Sequence, residues 1–559
     1  VTDAVTPAGT AAVTPAATID IRRDRRHPID PMIYGHFLES AFFGNIEGGV
    51  FDEGSPLAYG GDGAHDGARD GARNGLRSDV IELCRDLGLP VVRWPGGNFT
   101  SAYHWEDGVG PRDARPRRLE LAWGSEESNR FGTDEFLAWC AEVGTEPYLA
   151  HSCRDVDEAV RWVEYTNHGG DTEYTRRRAR NGHPAPYGVK YWGLGNEVYG
   201  DWQMGHRSAA AYAADAAEHA RFMRAVDPSL KFIAVGKTDD RDGWTETLLG
   251  AVGNQIDYLS FHLYGATTQL IDGAGEYDAI VAQSLYFEQQ IVEYSDLVGG
   301  IAARNAGERS LALSLDEWNI RHVEPATWPE PQPSDDGGTV AREVDGLPTH
   351  PAHRVNRWSP RTLADALFYA GVFHALHRAG GREVPVAMAN TVNLLNANGV
   401  IVARPDGAVR AATYHVWDLY QNHLGPIALA ADVRSPSKLT AVRQGDERDH
   451  HGEFRTYPAT VPDLDVSATQ TADGSSIRIA VINRHRDTAI RAGLTLDTSQ
   501  DALPARAAVK QLTADDVLAS NSLTAPDAVS LRDLGTVELT DASYDFPPHS
   551  ITLLSFDLS

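Results

Sequence analysis

Cysteine is scarce, with only Cys84, Cys140 and Cys153 in 559 residues. An odd, sparse set supplies neither a disulfide framework nor the paired CxxC spacing of a zinc site. Cys84 and Cys140 sit among apolar residues in helix-like stretches, where buried, inert thiols are expected. Positive charge is also short. Lys and Arg number 50 against 78 Asp and Glu, a formal net charge of −28. A surface that acidic repels phosphate backbones and anionic lipid, so neither nucleic acid nor membrane is an expected partner. No apolar run approaches the ~18 residues of a bilayer span. The N-terminal stretch VTDAVTPAGTAAVTPAAT lacks the basic region and apolar core of an intact secretory signal, and a cytoplasmic location is expected.

What is present is apolar bulk: 42% hydrophobic residues, with 12 Trp, 20 Tyr and 16 Phe. That fills substantial cores, and the length is too great for one ordinary domain. After a Thr/Ala/Pro tail (1–17), a strand-like stretch within 18–29 precedes the main pattern and is free to pair either with it or with the C-terminal β-region. From about residue 30 to 425, short β-branched runs alternate with longer amphipathic ones, the signature of repeated βα units around a parallel sheet. Eight strands are expected: Met32–Phe37, Val91–Trp94, Pro147–Ala150, Val189–Leu194, Phe232–Val235, Tyr258–Phe261, Leu311–Leu315 and Pro385–Ala389. Helical patterns fall between them at Ser78–Leu87, Thr133–Val143, Ala209–Ala225, Tyr277–Val298 and Thr362–Ala379. Eight is the number that closes a (β/α)8 barrel. From 426 to 559 the texture becomes alternating strands between Asp, Gly, Pro and Asn turns, as in an all-β sandwich. The fold class is therefore α/β, a TIM barrel followed by a C-terminal β-sandwich. Two segments are irregular. GGDGAHDGARDGARNG (60–75) lacks the ligand spacing and closing Glu of a calcium loop, and reads as a flexible loop over the barrel mouth. The Pro/Asp/Gly-rich 324–360 is long enough for a lid or an interface.

Barrel enzymes carry their active sites on the loops after the C-terminal strand ends. Here those ends lead into Glu39, Arg93 with Asn98, His151, Asn196-Glu197, Lys237, His262 with Tyr264, Asp316-Glu317, and Asn390 with Asn393. Two carboxylates stand out, Glu197 after the fourth strand and Glu317 after the seventh. A pair flanking one scissile bond is what glycoside hydrolysis requires: an acid for the leaving oxygen, and a carboxylate to meet the oxocarbenium-like carbon. Arg93 has a second, less favoured reading as the partner of a structural acid, and His262 one as a satisfied core histidine. Strand parity does not choose between Asp316 and Glu317, because barrel strands are buried on both faces.

Five stretches, in order, are similar to glycoside hydrolase family 51, the α-L-arabinofuranosidases. They are Tyr34-Gly35-His36-Phe37-Leu38-Glu39, Arg93-Trp94-Pro95-Gly96-Gly97-Asn98-Phe99, Gly193-Leu194-Gly195-Asn196-Glu197, Trp202-Gln203-Met204-Gly205-His206 and Asp316-Glu317-Trp318-Asn319. The resemblance implies a retaining exo-hydrolase that acts on a furanoside-containing oligo- or polysaccharide without metal or other cofactor, as a homo-oligomer, with a hexamer the form it suggests. It implies Glu197 as acid/base and Glu317 as nucleophile, with Arg93 and Tyr264 hydrogen-bonding Glu317. Asn196 is implied to donate to the sugar 2-hydroxyl, Glu39 and Asn98 to hold further hydroxyls, His262 to sit near Glu197, and Trp318 to supply an apolar wall. Asp316 receives no chemistry.

The chain departs from the family pattern at Ser40, Ser152-Cys153-Arg154, Arg321-His322 and Asn393, where Gln is usual. Asn393 is expected to line the substrate pocket, and its shorter side chain keeps β-D-galactofuranoside open as an alternative glycone. Two other function classes compete: a metal-dependent barrel hydrolase built on His151, Asp155 and His262, and a sugar-binding protein without catalysis. The first lacks any HxH or HExxH spacing; the second is opposed by the presence of both carboxylates.

Overall fold

A computed structural model describes residues 16–558 apart from 41–43, 61–71, 239, 268–272, 306–310, 323–359, 449–453 and 497–502. The N-terminal tail and most of both irregular segments lie outside the described residues. Eight strands close a parallel barrel: Gly35–Phe37, Val91–Trp94, Glu146–His151, Tyr191–Leu194, Lys231–Val235, Tyr258–Thr267, Ala312–His322 and Val386–Thr391. We call these the first to eighth barrel strands. All eight expected strands are present, with one change: Met32–Tyr34 belong to a 3₁₀ turn, Pro31–Tyr34. Pro31 opens that turn and the Asp30 side chain accepts the Met32 N–H, so local capping overrides the β-branched pattern.

The barrel interior has two levels. Val91, Tyr148, Tyr191, Ile233 and Met388 form a small apolar cluster of their own. Arg93 stands two residues beyond Val91 on the same face of its strand, at the level of Glu317. Outside the ring, the helices bury their apolar faces against the strands in one large core.

The strand Ala17–Pro28 pairs with Ile427–Arg434 and Ile490–Leu496, which puts it in the C-terminal domain and not in the barrel. That domain is built on one continuous nine-stranded sheet with a core of its own, mainly Ile, Val, Leu and Phe side chains, and carries a separate two-stranded hairpin. It leans on the barrel through the helix Leu363–Ala379, which is buried nearly all round because one face meets the strands and the other the sheet. Across this seam Asp465 accepts from Arg484 at 2.5 Å and Arg378 at 3.2 Å, and lies 3.3 Å from His374. Burial alone would raise Asp465, but these cations outweigh it and hold the carboxyl well below its usual range. Its contribution to stability is thus complete at neutral pH and is lost only in acid.

We predict that Asp465→Asn, which strips the buried Arg484 of its carboxylate, costs about 3–5 kcal/mol. Removing the exposed partner in Asp545→Asn, which frees Arg491, should cost less than about 1 kcal/mol. Denaturant unfolding of both variants checks this, and equal losses would remove the seam from its structural role.

Candidate active site

The polar groups converge at the C-terminal mouth of the barrel, and a local irregularity brings two of them there. Beside the sixth strand, Ser314 pairs with Ser260 and Glu317 with His262; beside the eighth, Leu315 pairs with Ala389 and Trp318 with Thr391. The seventh strand therefore carries one extra residue at this level, a β-bulge. Leu313 and Leu315 pack in the outer core before it, Trp318 and Ile320 after it, so the alternation slips by one. Asp316 and Glu317, consecutive in sequence, both contact groups inside the barrel.

Arg93, 1% exposed, donates from Nη1 to Glu317 Oε1 at 2.9 Å and from Nη2 to Asn196 Oδ1 at 2.6 Å. The Tyr264 hydroxyl donates to Glu317 Oε2 at 2.7 Å, so both Glu317 carboxyl oxygens are held. Asn196 faces Asn98 at 3.5 Å, and Gln203 donates to the same Asn98 oxygen. Glu39 Oε1 accepts from the Gly97 and Phe99 N–H groups at 3.1 and 3.0 Å. Burial, opposed by the Phe99 bond and reinforced by the Glu317 charge, pushes Glu39 up to about 8.

Glu197 sits at φ +43°, a left-handed conformation rare outside glycine and found at sites whose surroundings over-determine the backbone. Its Oε1 lies 2.7 Å from His262 Nδ1, and its Oε2 accepts from Trp202 Nε1 at 3.1 Å. His262 Nε2 reaches Asp316 Oδ1 at 3.3 Å, and Tyr148 donates to the other Asp316 oxygen at 2.9 Å. Burial disfavours the imidazolium, but Glu317, Asp316 and Glu197 outweigh it and push His262 up to about 10. Burial likewise raises Glu197, yet the bond and charge of His262, the Trp202 N–H and the Arg321 charge bring it below the ordinary Glu value. One carboxyl oxygen each of Glu197 and Glu317, with one His262 nitrogen, lie within 4.8 Å of one another.

The geometry thus unites Glu197, Glu317, Arg93, Asn98, Asn196, His262, Tyr264 and Glu39. It corrects one expectation: Trp318 does not form a pocket wall. The bulge turns it outward, fully buried among Phe287, Tyr369, Phe373 and Trp417. Asn393 is buried after the eighth strand, donating to the Ala397 carbonyl at 3.2 Å, its oxygen without a partner. The trio His151, Asp155 and His262 does not assemble. His151 accepts from the Cys153 N–H and Asp155 caps the helix Val156–Asn167. Among the described residues only Glu197, His262 and Glu317 are close enough to share an ion, and hydrogen bonds already occupy that trio. Sequence reasoning missed Asp316, Tyr148, Trp123, which acts on Glu39, and Trp202, which is 58% exposed beside Glu197. Trp202 and Gln203 lay in a matching stretch but had no periodicity to reveal a role.

The pair Gly96-Gly97 has a steric cause. A Cβ on Gly96, at φ +154°, would lie 2.5 Å from Glu39 Cγ, and one on Gly97 would lie 2.4 Å from Glu317 Oε1. Gly97→Ala should therefore displace the nucleophile and lower kcat about 100-fold, since a displacement of about 1 Å costs that much. Thermal unfolding should move little. Kinetics within threefold of the parent would show that Glu317 does not need this clearance.

Comparison with known proteins agrees with the geometry. A family model described as an alpha-L-arabinofuranosidase 1 domain matches residues 83–281, and one described as the alpha-L-arabinofuranosidase C-terminal domain matches 316–550. The chain is 33% identical to alpha-L-arabinofuranosidase C of Emericella nidulans, over 96% of this chain and 97% of that one. It is 31% identical to an exo-alpha-(1→6)-L-arabinofuranosidase of Bifidobacterium longum, over 94% of each. Among solved structures, the thermostable GH51 alpha-L-arabinofuranosidase of Thermotoga petrophila superposes with a TM-score of 0.76 at 32% identity, covering 96% of this chain and 99% of that one. A closed barrel with two facing carboxylates, a C-terminal sheet domain and full-length likeness converge on one assignment: the chain belongs to the α-L-arabinofuranosidases of glycoside hydrolase family 51.

Proposed function

We propose that the chain removes terminal, non-reducing α-L-arabinofuranosyl residues from arabinose-containing oligo- and polysaccharides with retention of configuration. Glu317 is the nucleophile and Glu197 the acid/base. The observation that carries this is the approach of the two carboxyl groups to within 4.8 Å, with unlike surroundings. Retaining glycosidases space theirs at ~5–5.5 Å, whereas inverting ones leave ~6.5–9.5 Å for a water. The exo-acting Bifidobacterium relative supports action at chain ends.

In the first step a Glu317 oxygen attacks the anomeric carbon, the glycosidic C–O bond breaks, and Glu197 gives its proton to the departing oxygen. Arg93 and Tyr264 hold both Glu317 oxygens, so little reorganisation is needed. His262, 2.7 Å from Glu197 and backed by Asp316, shares the proton that Glu197 delivers. In the second step Glu197 takes a proton from water, whose oxygen attacks the same carbon and frees Glu317. Asn196 and Asn98 offer amides to the sugar hydroxyls, and Glu39, neutral below about pH 8, donates as well as accepts. Asn393 is assigned to the pocket floor. A homo-oligomer, a hexamer by the family resemblance, and a cytoplasmic location complete the reading.

Glu197→Ala should cripple hydrolysis of natural arabinosides, whose leaving alcohols need a proton. General acid catalysis contributes ~10²–10⁴-fold. Nitrophenyl arabinofuranoside should form the intermediate at far milder cost, and azide should accelerate its breakdown. Equal losses on both substrates without azide rescue would remove Glu197 from this role.

A slow mechanism-based furanoside inhibitor should label the peptide that carries Glu317, and the first-formed product should keep its anomeric configuration. Chelator should leave the rate unchanged. An inverted product, or a label elsewhere, would overturn the nucleophile; loss of activity with chelator would favour a metal-dependent reaction.

A further inference from the structure

The sixth and seventh strands stay paired through His322 opposite Thr267, five residue pairs beyond Glu317 and His262. This two-stranded extension continues past the catalytic level, and Arg321 stands on it opposite Ala266, four residues after Glu317. Its guanidinium carbon lies 3.6 Å from the centroid of the Tyr264 ring, well inside the ~6 Å reach of a cation–π contact. The hydroxyl of that ring donates to Glu317 Oε2 at 2.7 Å. One side chain thus clamps the donor that aims the nucleophile, and its charge is also felt at Glu197.

We propose that Arg321 is a positioning residue for arabinosyl transfer, holding the Tyr264 ring through its planar face and biasing through its charge where the proton of the Glu197–His262 pair resides. The proposal rests on the reading of Glu197 as acid/base. The two effects are separable by chemistry. A planar, delocalised cation stacks on an aromatic face, whereas an ammonium is a compact point charge. The groups around Glu197 come from three elements: His262 and Tyr264 on the sixth strand, Glu317 and Arg321 on the seventh, and Tyr199 and Trp202 after the fourth, with Asp316 acting through His262. Arg93, on the second strand, acts through Glu317. Among the described residues, only Arg321 combines a positive charge with a direct contact to the Tyr264 ring, whose hydroxyl holds Glu317.

The sign follows from the acid's task. The first step on a poor leaving group needs a protonated Glu197, so kcat/KM falls on the basic side as that proton is lost. A nearby cation favours the carboxylate, and removing it moves the basic limb to higher pH. The experiment is a pH profile on an arabino-oligosaccharide and on nitrophenyl arabinofuranoside for Arg321→Met, Arg321→Lys and Glu197→Gln, with Tyr264→Phe alone and combined with Arg321→Met. Arg321→Met should displace the basic limb upward on the oligosaccharide and lower kcat about 2- to 30-fold. Arg321→Lys should keep the limb in place while showing a similar loss of kcat. Combined with Tyr264→Phe, the Arg321→Met loss should be much less than additive. An unmoved limb in Arg321→Met, an equal displacement in Arg321→Lys, or full additivity with Tyr264→Phe would overturn the proposal. If Glu197→Gln keeps the parental limb, the assignment of Glu197 itself falls, a result distinct from the first three.

Discussion

Arg93 is a guanidinium shut away from water at the centre of a barrel, and the catalytic site is organised around that charge. An unpaired cation there would carry a desolvation cost of several kcal/mol. The carboxylates of Glu317, at 2.9 Å, and Asp316, at 3.8 Å, offset it. The dependence runs both ways. Asp316, Glu317 and Glu197 crowd one small volume, and like charges so close are tolerated only beside Arg93 and the imidazolium of His262. Glu317 is thus one member of a charge lattice in which each group holds another in its ionisation state. That is pre-organisation in its literal sense: the dipoles and charges are in place before substrate arrives.

The bulge in the seventh strand is what lets the lattice form, and it marks the limit of what the sequence discloses. Each barrel strand could be read because a buried run between turn residues has few other fates. The helices at Ser78–Leu87 and Thr133–Val143 match their expected limits because an αL glycine, Gly88 and Gly144, closes each. A bulge has no comparable signature. Unbroken alternation would send Asp316 and Glu317 to opposite faces, and nothing in Leu-Ser-Leu-Asp-Glu-Trp-Asn states that the phase slips. The two misreadings in this segment share that cause. Asp316 received no chemistry although it anchors His262, and Trp318 was expected at the pocket although it closes the outer aromatic core. The motif resemblance located Glu197 and Glu317, but the residues that tune them, Tyr148 and Trp202, follow from three-dimensional neighbours alone.

The C-terminal domain is also part of the catalytic support. Its hairpin, Ser437–Arg448 with Phe454–Pro462, lies along the helix Gly273–Asn305, with Val442 and Val461 packed on Ala282. From that hairpin Arg443 donates to the Ala266 carbonyl at 3.0 Å and pairs with Glu276 at 2.7 Å. A Cβ on Gly445, at φ +61°, would come within 2.7 Å of the Tyr264 carbonyl. The backbone of the sixth strand is therefore braced from outside at the residues that carry its catalytic side chains. Residues that hold a site from behind fix its geometry as firmly as those that face the substrate.

Charge conservation links these layers through the reaction. In the resting site three carboxylates meet two cations, Arg93 and His262. In the proposed double displacement, forming the ester at Glu317 removes one negative charge and leaves Arg93 with Asp316 alone, while the proton delivered to the leaving oxygen comes from the Glu197–His262 pair and leaves a neutral imidazole beside the Glu197 carboxylate. That imidazole then takes up, through Glu197, the proton released by the attacking water. Hydrolysis of the ester restores the original distribution. The same short contact between Glu197 and His262 therefore serves both half-reactions without movement of the backbone, which is why a rigid barrel mouth, braced from the sheet domain, suits a double displacement.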